Sequence, residues 1–297
     1  MQLMNRGRTV EIMYKPTPVI RSETLSKEYD CDVWLKLEIW NTTGSHKDRE
    51  TLKIMEECKR HGVYEVGCAS TGNFGISLAY YAMVSGLRCH VWLPSGRAYP
   101  NVMNLLSAFS AEIHLMDSDL SELYPKSSEE MRSQNIYDVN PGKCPAKIAG
   151  NKGIGQEIIK QIRNVDTVVC CLNNGTHLLG IAEGVREAGV RIVGVYSYSR
   201  FASSIKGFNQ AEGAERIQEA ISLSGGSLIE ATDQDLRSGV LTLYNEGIIP
   251  EVSSAGVVGV LNKVDLSSCN RICCVISGNG LKKPSELQDL LSSREAR

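Results

Sequence analysis

Nine turn-rich residues near the start of the chain read Asn41-Thr42-Thr43-Gly44-Ser45-His46-Lys47-Asp48-Arg49. Before them, residues 32–38 alternate apolar and polar side chains, a pattern typical of a half-buried strand. After them, apolar side chains recur at helical spacing as far as Gly62, a common helix end. Lys47 is therefore expected at a junction between a strand and a helix, where a lysine can face a cleft instead of water.

Strand and helix patterns alternate along the rest of the chain. The sequence predicts strands at 64–70, 87–94, 111–116, 167–172, 191–196 and 271–277, and helices at 76–85, 101–109, 154–162 and 178–188. A further helix is expected from Thr232, because Thr232 and Asp235 have the spacing of a capping box with Asp in place of Glu. Residues 117–147 carry a weaker pattern and are interpreted as a boundary or crossover. This alternation indicates parallel sheets with helices on both faces.

Composition limits the partners of the protein. The 297 residues are enough for two domains, and the formal net charge of -2 with 22% charged residues offers no electrostatic case for a nucleic-acid or anionic-membrane partner. No run of about 18 apolar residues occurs, so no membrane span is expected. Residues 1–15 lack the apolar core of a signal peptide. These features predict a cytoplasmic protein.

Cysteines and histidines indicate neither disulfides nor a metal site. Several of the ten cysteines lie within apolar runs, among them Cys170-Cys171 and Cys273-Cys274, and no C-x-x-C pair occurs. Such thiols are expected to be buried in a reducing compartment. The five histidines are scattered without a ligand-spaced neighbour, so the sequence predicts no metal site.

Small polar residues follow four of the predicted strands. They are Gly44–Lys47, Ser70–Asn73, Asn173–His177 and Ser277–Gly280. Each set alone also fits ordinary turn and N-cap chemistry. In a parallel sheet, however, ligands bind beyond the carboxyl ends of the strands, where helix N-termini present backbone donors. Their joint placement therefore favours a shared ligand site.

These motifs together resemble a known enzyme family. The residues are Lys36-x-Glu38-x-x-Asn41-x-Thr43-Gly44-Ser45-x-Lys47-Asp48-Arg49, Ala69-Ser70-Thr71-Gly72-Asn73, Pro250-Glu251-Val252-Ser253-Ser254-Ala255 and Ser277-Gly278-Asn279-Gly280-Leu281-Lys282. Their order and spacing, from about Pro16 to Lys282, resemble the fold type II (β-family) pyridoxal-phosphate enzymes, which are tryptophan synthase β-like. Within that family the pattern is most similar to the threonine synthases.

The resemblance implies an α/β architecture of two domains, each a mainly parallel twisted sheet flanked by helices. Residues 1–40 and 126–297 would form the larger, cofactor-phosphate domain. Residues 41–125 would form a smaller, mobile domain that carries the substrate loop. The family also suggests a homodimer that acts on a small amino-acid substrate.

The resemblance assigns roles in the smaller domain. Lys47 would form the Schiff base with the aldehyde of pyridoxal 5'-phosphate and then move protons at the substrate carbons, which requires an unprotonated amine. Asn73 would donate to the 3-hydroxyl oxygen of the cofactor. Ser70, Thr71 and Gly72 would bind the substrate carboxylate, although Thr71 or Asn73 would alternatively cap the following helix.

The remaining cofactor contacts would come from the larger domain. Asn173, Asn174, Gly175, Thr176 and His177 would hold the cofactor phosphate. This loop is poorer in glycine than is usual in the family, and Thr176 suits a positive φ badly, whereas Asn173 tolerates it. His177 would donate to the phosphate or simply cover it. Ser277 would face the pyridine nitrogen, where a hydroxyl leaves the ring a weaker electron sink than a carboxylate would.

The implied reaction is a lyase reaction that converts O-phosphohomoserine and water to threonine and phosphate. Arg49, Ser45 and Thr71 are candidate donors to the substrate phosphate. His46, where an aromatic Phe is common, Glu50, where Gly is frequent, and Phe74-Gly75-Ile76, which is similar to cysteine synthases, keep an alternative open. That alternative is β-replacement or elimination by a cysteine synthase-like enzyme or a serine/threonine deaminase.

The glycine-poor phosphate loop leaves a third possibility, a non-catalytic relative that senses a ligand. Residues 201–210 and 247–254 are expected to shape the substrate pocket.

Overall fold

The structure is a computed structural model, and it describes residues 2–5, 8–11, 15–205, 213–267 and 269–293. Of the segment 201–210, residues 206–210 lie outside this described part. The elements in chain order are β1 (Gln2–Asn5), β2 (Arg8–Glu11), β3 (Val19–Arg21), α1 (Glu23–Tyr29), β4 (Asp32–Leu37), α2 (Lys47–His61), β5 (Glu65–Ala69), α3 (Asn73–Ser85), β6 (Arg88–Pro94), α4 (Pro100–Ala108), β7 (Glu112–Met116), α5 (Leu120–Ser133), β8 (Tyr137–Asp138), α6 (Ala146–Gln161), β9 (Thr167–Cys171), α7 (Thr176–Val185), β10 (Arg191–Tyr196), α8 (Ala214–Leu223), β11 (Ser227–Glu230), α9 (Asp233–Asn245), α10 (Val252–Gly259), β12 (Arg271–Ile276) and α11 (Pro284–Ser292). None of the described helices has the length and apolarity that a membrane crossing requires.

The chain divides into two units. The small unit contains Met1–Lys15 and Lys47–Gly150, and the large unit contains Pro16–His46 and Asn151–Arg297. The sequence had suggested 41–125 for the smaller domain, and 1–40 with 126–297 for the larger. The structure instead starts the second segment of the small unit at Lys47, extends it to Gly150, and includes Met1–Lys15 in this unit.

The small unit has a four-stranded parallel sheet in the order β7-β6-β5-β8. One face packs Val66 and Val91 against helices α2, α3 and α4, while the other packs Trp92 against Leu123 and Met131 of α5. Strand β8 therefore belongs to this sheet and helix α5 packs on it, which explains why the unit continues past residue 125. The sequence pattern missed α5 because Pro125 lies inside the helix.

The large unit has a six-stranded sheet in the order β11-β10-β9-β12-β4-β3, in which only β3 runs antiparallel to its neighbour. One face packs Val169 and Val193 against α9 and α10. On the other face, a Cβ added to Gly194 of β10 would lie 2.5 Å from Cδ1 of Leu178 in α7. Helices thus cover both faces, and the expected parallel α/β architecture is confirmed. The capping box at the start of α9 is also present, with both of its hydrogen bonds.

Lys36 of β4 and Glu38, which follows this strand, have structural roles. Lys36 Nζ is fully buried and donates to Glu157 Oε2 at 2.5 Å, to Gln161 Oε1 at 2.7 Å and to the carbonyl of Thr17 at 2.8 Å. Glu38 accepts from Thr17 Oγ1 at 2.6 Å and from Asn41 Nδ2 at 2.6 Å. These bonds fasten β4 to α6 and fix the backbone that leads towards Gly44.

Candidate active site

The segment that precedes Lys47 is tied to the end of β12 within the large unit. His46 N donates to the carbonyl of Ser277 at 2.9 Å, and Ser45 forms an isolated antiparallel bridge with Gly278. Lys282 Nζ donates to the carbonyls of Thr43 and Gly44, each at 3.0 Å. The chain therefore reaches residue 47 along a fixed path.

Lys47 is the first residue of α2 and is not a solvated lysine. Its Nζ donates to Glu50 Oε1 at 2.8 Å, and the two side chains are 13% and 1% exposed. The ring of Phe74 lies 6.0 Å from the same nitrogen. Glu50, which departs from the family pattern, is thus an ion-pair partner of Lys47.

A second lysine near this pair was missed by the sequence analysis. Lys147 is 2% exposed, and its Nζ lies 4.1 Å from the ring centroid of Phe74. Burial lowers the pKa of Lys147, as does the charge of Lys47, while the Glu50 carboxylate opposes the shift. No motif pointed to Lys147 because it lies at the start of α6, in the stretch where the helical pattern is weak.

Buried polar contacts hold the first turn of α2 against α3. Ser77 Oγ donates to Asp48 Oδ1 at 2.7 Å and lies 2.9 Å from Thr51 Oγ1, and Tyr81 donates to Asp48 Oδ2 at 3.3 Å. Thr51 Oγ1 in turn donates to the carbonyl of Lys47 at 3.0 Å. This network fixes the backbone from which the Lys47 side chain extends.

The loop Ser70–Asn73 connects β5 to α3. Ser70 Oγ accepts from the backbone N–H groups of Gly75 at 3.0 Å and Gly72 at 3.4 Å. Gly72 is the N-cap residue and has no side chain, and Ser70 is the residue whose hydroxyl reaches the first helical turn. A helix start of this kind suits a carboxylate, because its backbone N–H groups favour an anion.

The loop Asn173–His177 connects β9 to α7 in the large unit. Its positive φ angles fall on Asn173, at 49°, and on Gly175, at 93°. Thr176 is the first residue of the helix, so its branched side chain causes no strain there. Gly175 is the N-cap and has no side-chain cap, while Thr176 Oγ1 donates to Asn174 Oδ1 at 3.1 Å. The glycine-poor loop closes and leaves a helix N-terminus suited to a phosphate.

His177 is the second residue of α7 and is fully buried. Its Nδ1 is 3.3 Å from Asn151 Oδ1, and Asn151 Nδ2 donates to the carbonyl of Thr176 at 3.3 Å. The rings of His46 and His177 are in contact, with centroids 4.1 Å apart. Asn151, which ties α6 to the loop 173–177, has no motif of its own and was not anticipated from the sequence.

Ser277 follows β12, and its immediate neighbours are neutral. Its backbone N–H donates to Ser254 Oγ at 2.7 Å, and its hydroxyl lies 3.9 Å from Cys171 Sγ. Burial raises the pKa of the Cys171 thiol to about 12, so the sulfur stays protonated at neutral pH. The hydroxyl is therefore a neutral hydrogen-bonding group, as expected for a partner of the pyridine nitrogen.

The residues present in each unit fit pyridoxal phosphate. The small unit offers a partly buried lysine amine beside a carboxylate, together with a helix start whose N-cap residue is a glycine. The large unit offers a second such helix start and a neutral hydroxyl at a strand end. In addition, Ser45 Oγ is buried without a hydrogen-bond partner among the described residues, as a donor reserved for a ligand would be.

Comparisons with known proteins agree with this chemistry. The threonine synthase of Mycobacterium tuberculosis is 28% identical to this chain, in an alignment that covers 95% of this chain and 86% of the relative. The threonine synthase of Methanocaldococcus jannaschii is 27% identical over 94% of the chain and 78% of the relative. Among solved structures, O-ureido-L-serine synthase superposes with a TM-score of 0.82 at 18% identity, covering 95% of this chain and 94% of its own.

A second solved structure gives the same fold. The serine racemase of Dictyostelium discoideum has a TM-score of 0.79 at 18% identity, over 89% of this chain and 92% of its own. The family model described as "Pyridoxal-phosphate dependent enzyme" matches residues 10–278. The expectations of a fold type II architecture and a pyridoxal-phosphate cofactor are confirmed, and the chain belongs to the pyridoxal-phosphate dependent enzyme family.

Proposed function

We propose that the protein is a lyase that converts O-phosphohomoserine and water to threonine and phosphate, with pyridoxal phosphate held on Lys47. The observation that carries this proposal is the similarity to threonine synthases over 95% of the chain. It is supported by the position of Lys47, which is buried beside Glu50 at the first turn of a packed helix.

Bound pyridoxal phosphate supplies an electron sink that stabilises negative charge at substrate carbons. The side chains around it bind the substrate and move protons. Lys47 Nζ removes and returns protons at those carbons, for which it needs a neutral amine. Glu50 Oε1 accepts a hydrogen bond from Nζ and so holds the amine in place between transfers.

Substrate and cofactor anions are bound by helix starts. The loop of Ser70, Thr71 and Gly72 binds the substrate carboxylate, and Asn73 donates to the 3-hydroxyl oxygen of the cofactor. The loop 173–177 binds the cofactor phosphate through the N-terminus of α7, which no side chain caps. Ser277 donates to the pyridine nitrogen without adding charge.

The substrate phosphate needs donors or cations. Arg49 is 2% exposed and lies in the same helical turn as Lys47, and Lys147 adds a second buried cation in the small unit. The buried Ser45 hydroxyl is a further donor. An anionic leaving group is stabilised by such groups as the bond to it breaks.

A second candidate is β-replacement or elimination on an activated serine or on threonine. The tripeptide Phe74-Gly75-Ile76 favours it, because Phe74 packs beside Lys147 and Lys47 where it shapes the surroundings of the amine. A ligand-sensing role without turnover is the third, and less favoured, candidate, since Lys47 retains the contacts of a reactive amine.

One incubation separates these candidates. Purified holoenzyme is mixed with O-phosphohomoserine, and inorganic phosphate, threonine, 2-oxobutyrate and pyruvate are measured. The proposal predicts equal amounts of phosphate and threonine, absent in Lys47→Ala and unchanged in Lys53→Ala, an exposed lysine of the same helix. Oxoacid from serine or threonine, with no phosphate release, would favour the second candidate. A coloured protein that turns over no amino acid would favour the third.

Location and assembly are also proposals. All ten cysteines are free thiols and nine of them are buried, which suits a reducing, cytoplasmic compartment. We further propose a homodimer, which sedimentation of the holoenzyme would test.

A further inference from the structure

The sheet of the small unit brings together two histidines that are distant in sequence. His90 lies on β6, and Glu112 and His114 lie on β7. The parallel register pairs His90 with Glu112 and Trp92 with His114. Alternate residues of a strand share a face, so His90, Glu112 and His114 all project from the same side of the sheet. The separation of 24 positions between the histidines explains why the sequence predicted no metal site.

The potential ligand atoms have the spacing of a coordination shell. His90 Nδ1 is 3.2 Å from His114 Nε2 and 3.5 Å from Glu112 Oε2. All three atoms lie within 4.8 Å of one another. Ligands that bind at 2.0–2.2 Å around a tetrahedral ion are about 3.3 Å apart. Only small shifts of the side chains would therefore place an ion between them.

The surrounding side chains orient both imidazoles for metal binding. Glu65 Oε2 lies 3.2 Å from His90 Nε2 and accepts a hydrogen bond from its N–H, which leaves the lone pair of Nδ1 directed at Glu112 and His114. Glu65 is itself held by an ion pair with Arg88. His90 is 4% exposed, so this orientation is fixed by packing.

The second imidazole is held by an aromatic ring. His114 stacks on Trp92, with centroids 4.3 Å apart and an interplanar angle of 13°. Trp92 is fixed in turn because its Nε1 donates to Glu130 Oε2 at 2.7 Å.

We propose that His90, His114 and Glu112 bind a divalent transition-metal ion of the zinc class, with Glu65 as the group that positions His90. Two imidazoles and one carboxylate select Zn²⁺ and similar ions over Mg²⁺ or Ca²⁺, which prefer oxygen ligands. Glu112 is 53% exposed, so an ion enters from solvent and a water completes the tetrahedron.

The ion would stabilise the sheet and take no part in the reaction of the cofactor. The ligands lie on β6 and β7, whereas Ser70 follows the carboxyl end of β5. His90 is in register with Gly67, which lies three residues, or roughly 10 Å along the strand, before Ser70. Binding bridges β6 to β7 and raises the stability of the folded state by mass action.

The test uses holoenzyme that has been treated with a chelator and dialysed. Titration with Zn²⁺ by calorimetry is expected to give one equivalent, with a rise in the thermal midpoint. Glu112→Gln and His114→Gln are expected to weaken binding by at least about 10-fold, and Glu65→Gln by about 10–100-fold. His61→Gln, at an exposed histidine of the same unit, is the matched control and should bind as the parent does.

Several results would overturn the proposal. They are the absence of saturable binding at micromolar Zn²⁺, a stoichiometry that survives both Glu112→Gln and His114→Gln, or a stronger preference for Mg²⁺. Glu112 is half exposed, so its variant keeps the fold even where a change at His90 does not. Binding at cysteine thiols would persist in the histidine variants and would equally contradict the proposal.

Discussion

Lys47 and Glu50 form an ion pair in the first turn of α2, with Nζ and Oε1 2.8 Å apart and side chains only 13% and 1% exposed. Lys53 and Glu56 form the same i,i+3 pair at the same 2.8 Å further along the helix, but with side chains 46% and 42% exposed. The two pairs share their spacing and helix and differ in burial. One helix therefore supplies both the test of the Lys47 environment and its control.

Replacing Glu50 with Gln removes the carboxylate that pairs with Lys47 Nζ and orients it. We expect kcat of the holoenzyme to fall by about 10- to 100-fold, because a displacement of about 1 Å at a reacting group costs about 100-fold in rate. The measurement is the turnover of parent and variant under identical conditions. Glu56→Gln should match the parent; unchanged turnover in Glu50→Gln would show that the pair does not position the amine.

Lys147 makes the stability of the protein depend on pH. Its pKa in the folded state lies below the 10.5 of an exposed lysine, so between the two values the unfolded chain binds the proton and the folded protein does not. Stability therefore rises with pH in that window, and below the folded pKa the full cost of burying the charge remains. Urea unfolding should show the parent gaining stability relative to Lys147→Met as pH rises towards 10.5. Lys152→Met, at an exposed position of the same helix, should show no such trend.

Gly150 permits the close approach of α6 to the turn that carries Lys47. A Cβ at this position would lie 2.2 Å from the carbonyl oxygen of Arg49 and 2.9 Å from Cα of Glu50. Gly150→Ala must displace this backbone, with an expected loss of about 1–3 kcal/mol in the free energy of unfolding. A displacement of about 1 Å at a reacting group costs about 100-fold in rate, so kcat should fall accordingly. Gly96→Ala, where a Cβ meets nothing within 4 Å, should change neither; equal effects of the two variants would contradict the packing argument.

The buried pair Lys36–Glu157 stabilises the large unit only as a pair. Lys36→Met leaves the Glu157 carboxylate, which is 9% exposed, without its cation, and should cost about 3–5 kcal/mol in urea unfolding. The double variant Lys36→Met with Glu157→Leu should recover most of this loss, because two apolar groups need no solvation. Additive losses in the double variant would mean that each residue stabilises the protein independently.

Local patterns predicted the elements that line the candidate site well. The strands β5, β6, β9, β10 and β12 were anticipated to within about two residues, because buried parallel strands are short apolar runs that end in turn residues. The change from alternating to helical spacing likewise predicted a strand-to-helix junction at Lys47, where α2 begins. The cofactor was recognised from joined motifs, while the roles of Ser70, Thr71, Gly72, Asn73, Asn173, Asn174, Gly175, Thr176, His177 and Ser277 stay predictions.

Long-range pairings could not be predicted from the sequence. Lys147 is close to Lys47 only because α6 packs beside α2, and His90 faces His114 only because β6 pairs with β7. The backbone conformation of the loop 173–177 also differs from the expectation. The sequence pointed to strain at Thr176, but the backbone assigns the positive φ angles to Asn173 and Gly175. Register and helix starts of this kind depend on tertiary contacts, which no local pattern records.

The most direct test of the account is to locate the cofactor on the chain. Holoenzyme is reduced with borohydride, digested and analysed by mass spectrometry, beside Lys47→Ala and Lys147→Met. We expect the phosphopyridoxyl adduct on the peptide that contains Lys47, present in Lys147→Met and lost in Lys47→Ala. An adduct on Lys147 or on any other residue in the parent protein, or no adduct at all, would contradict the central claim.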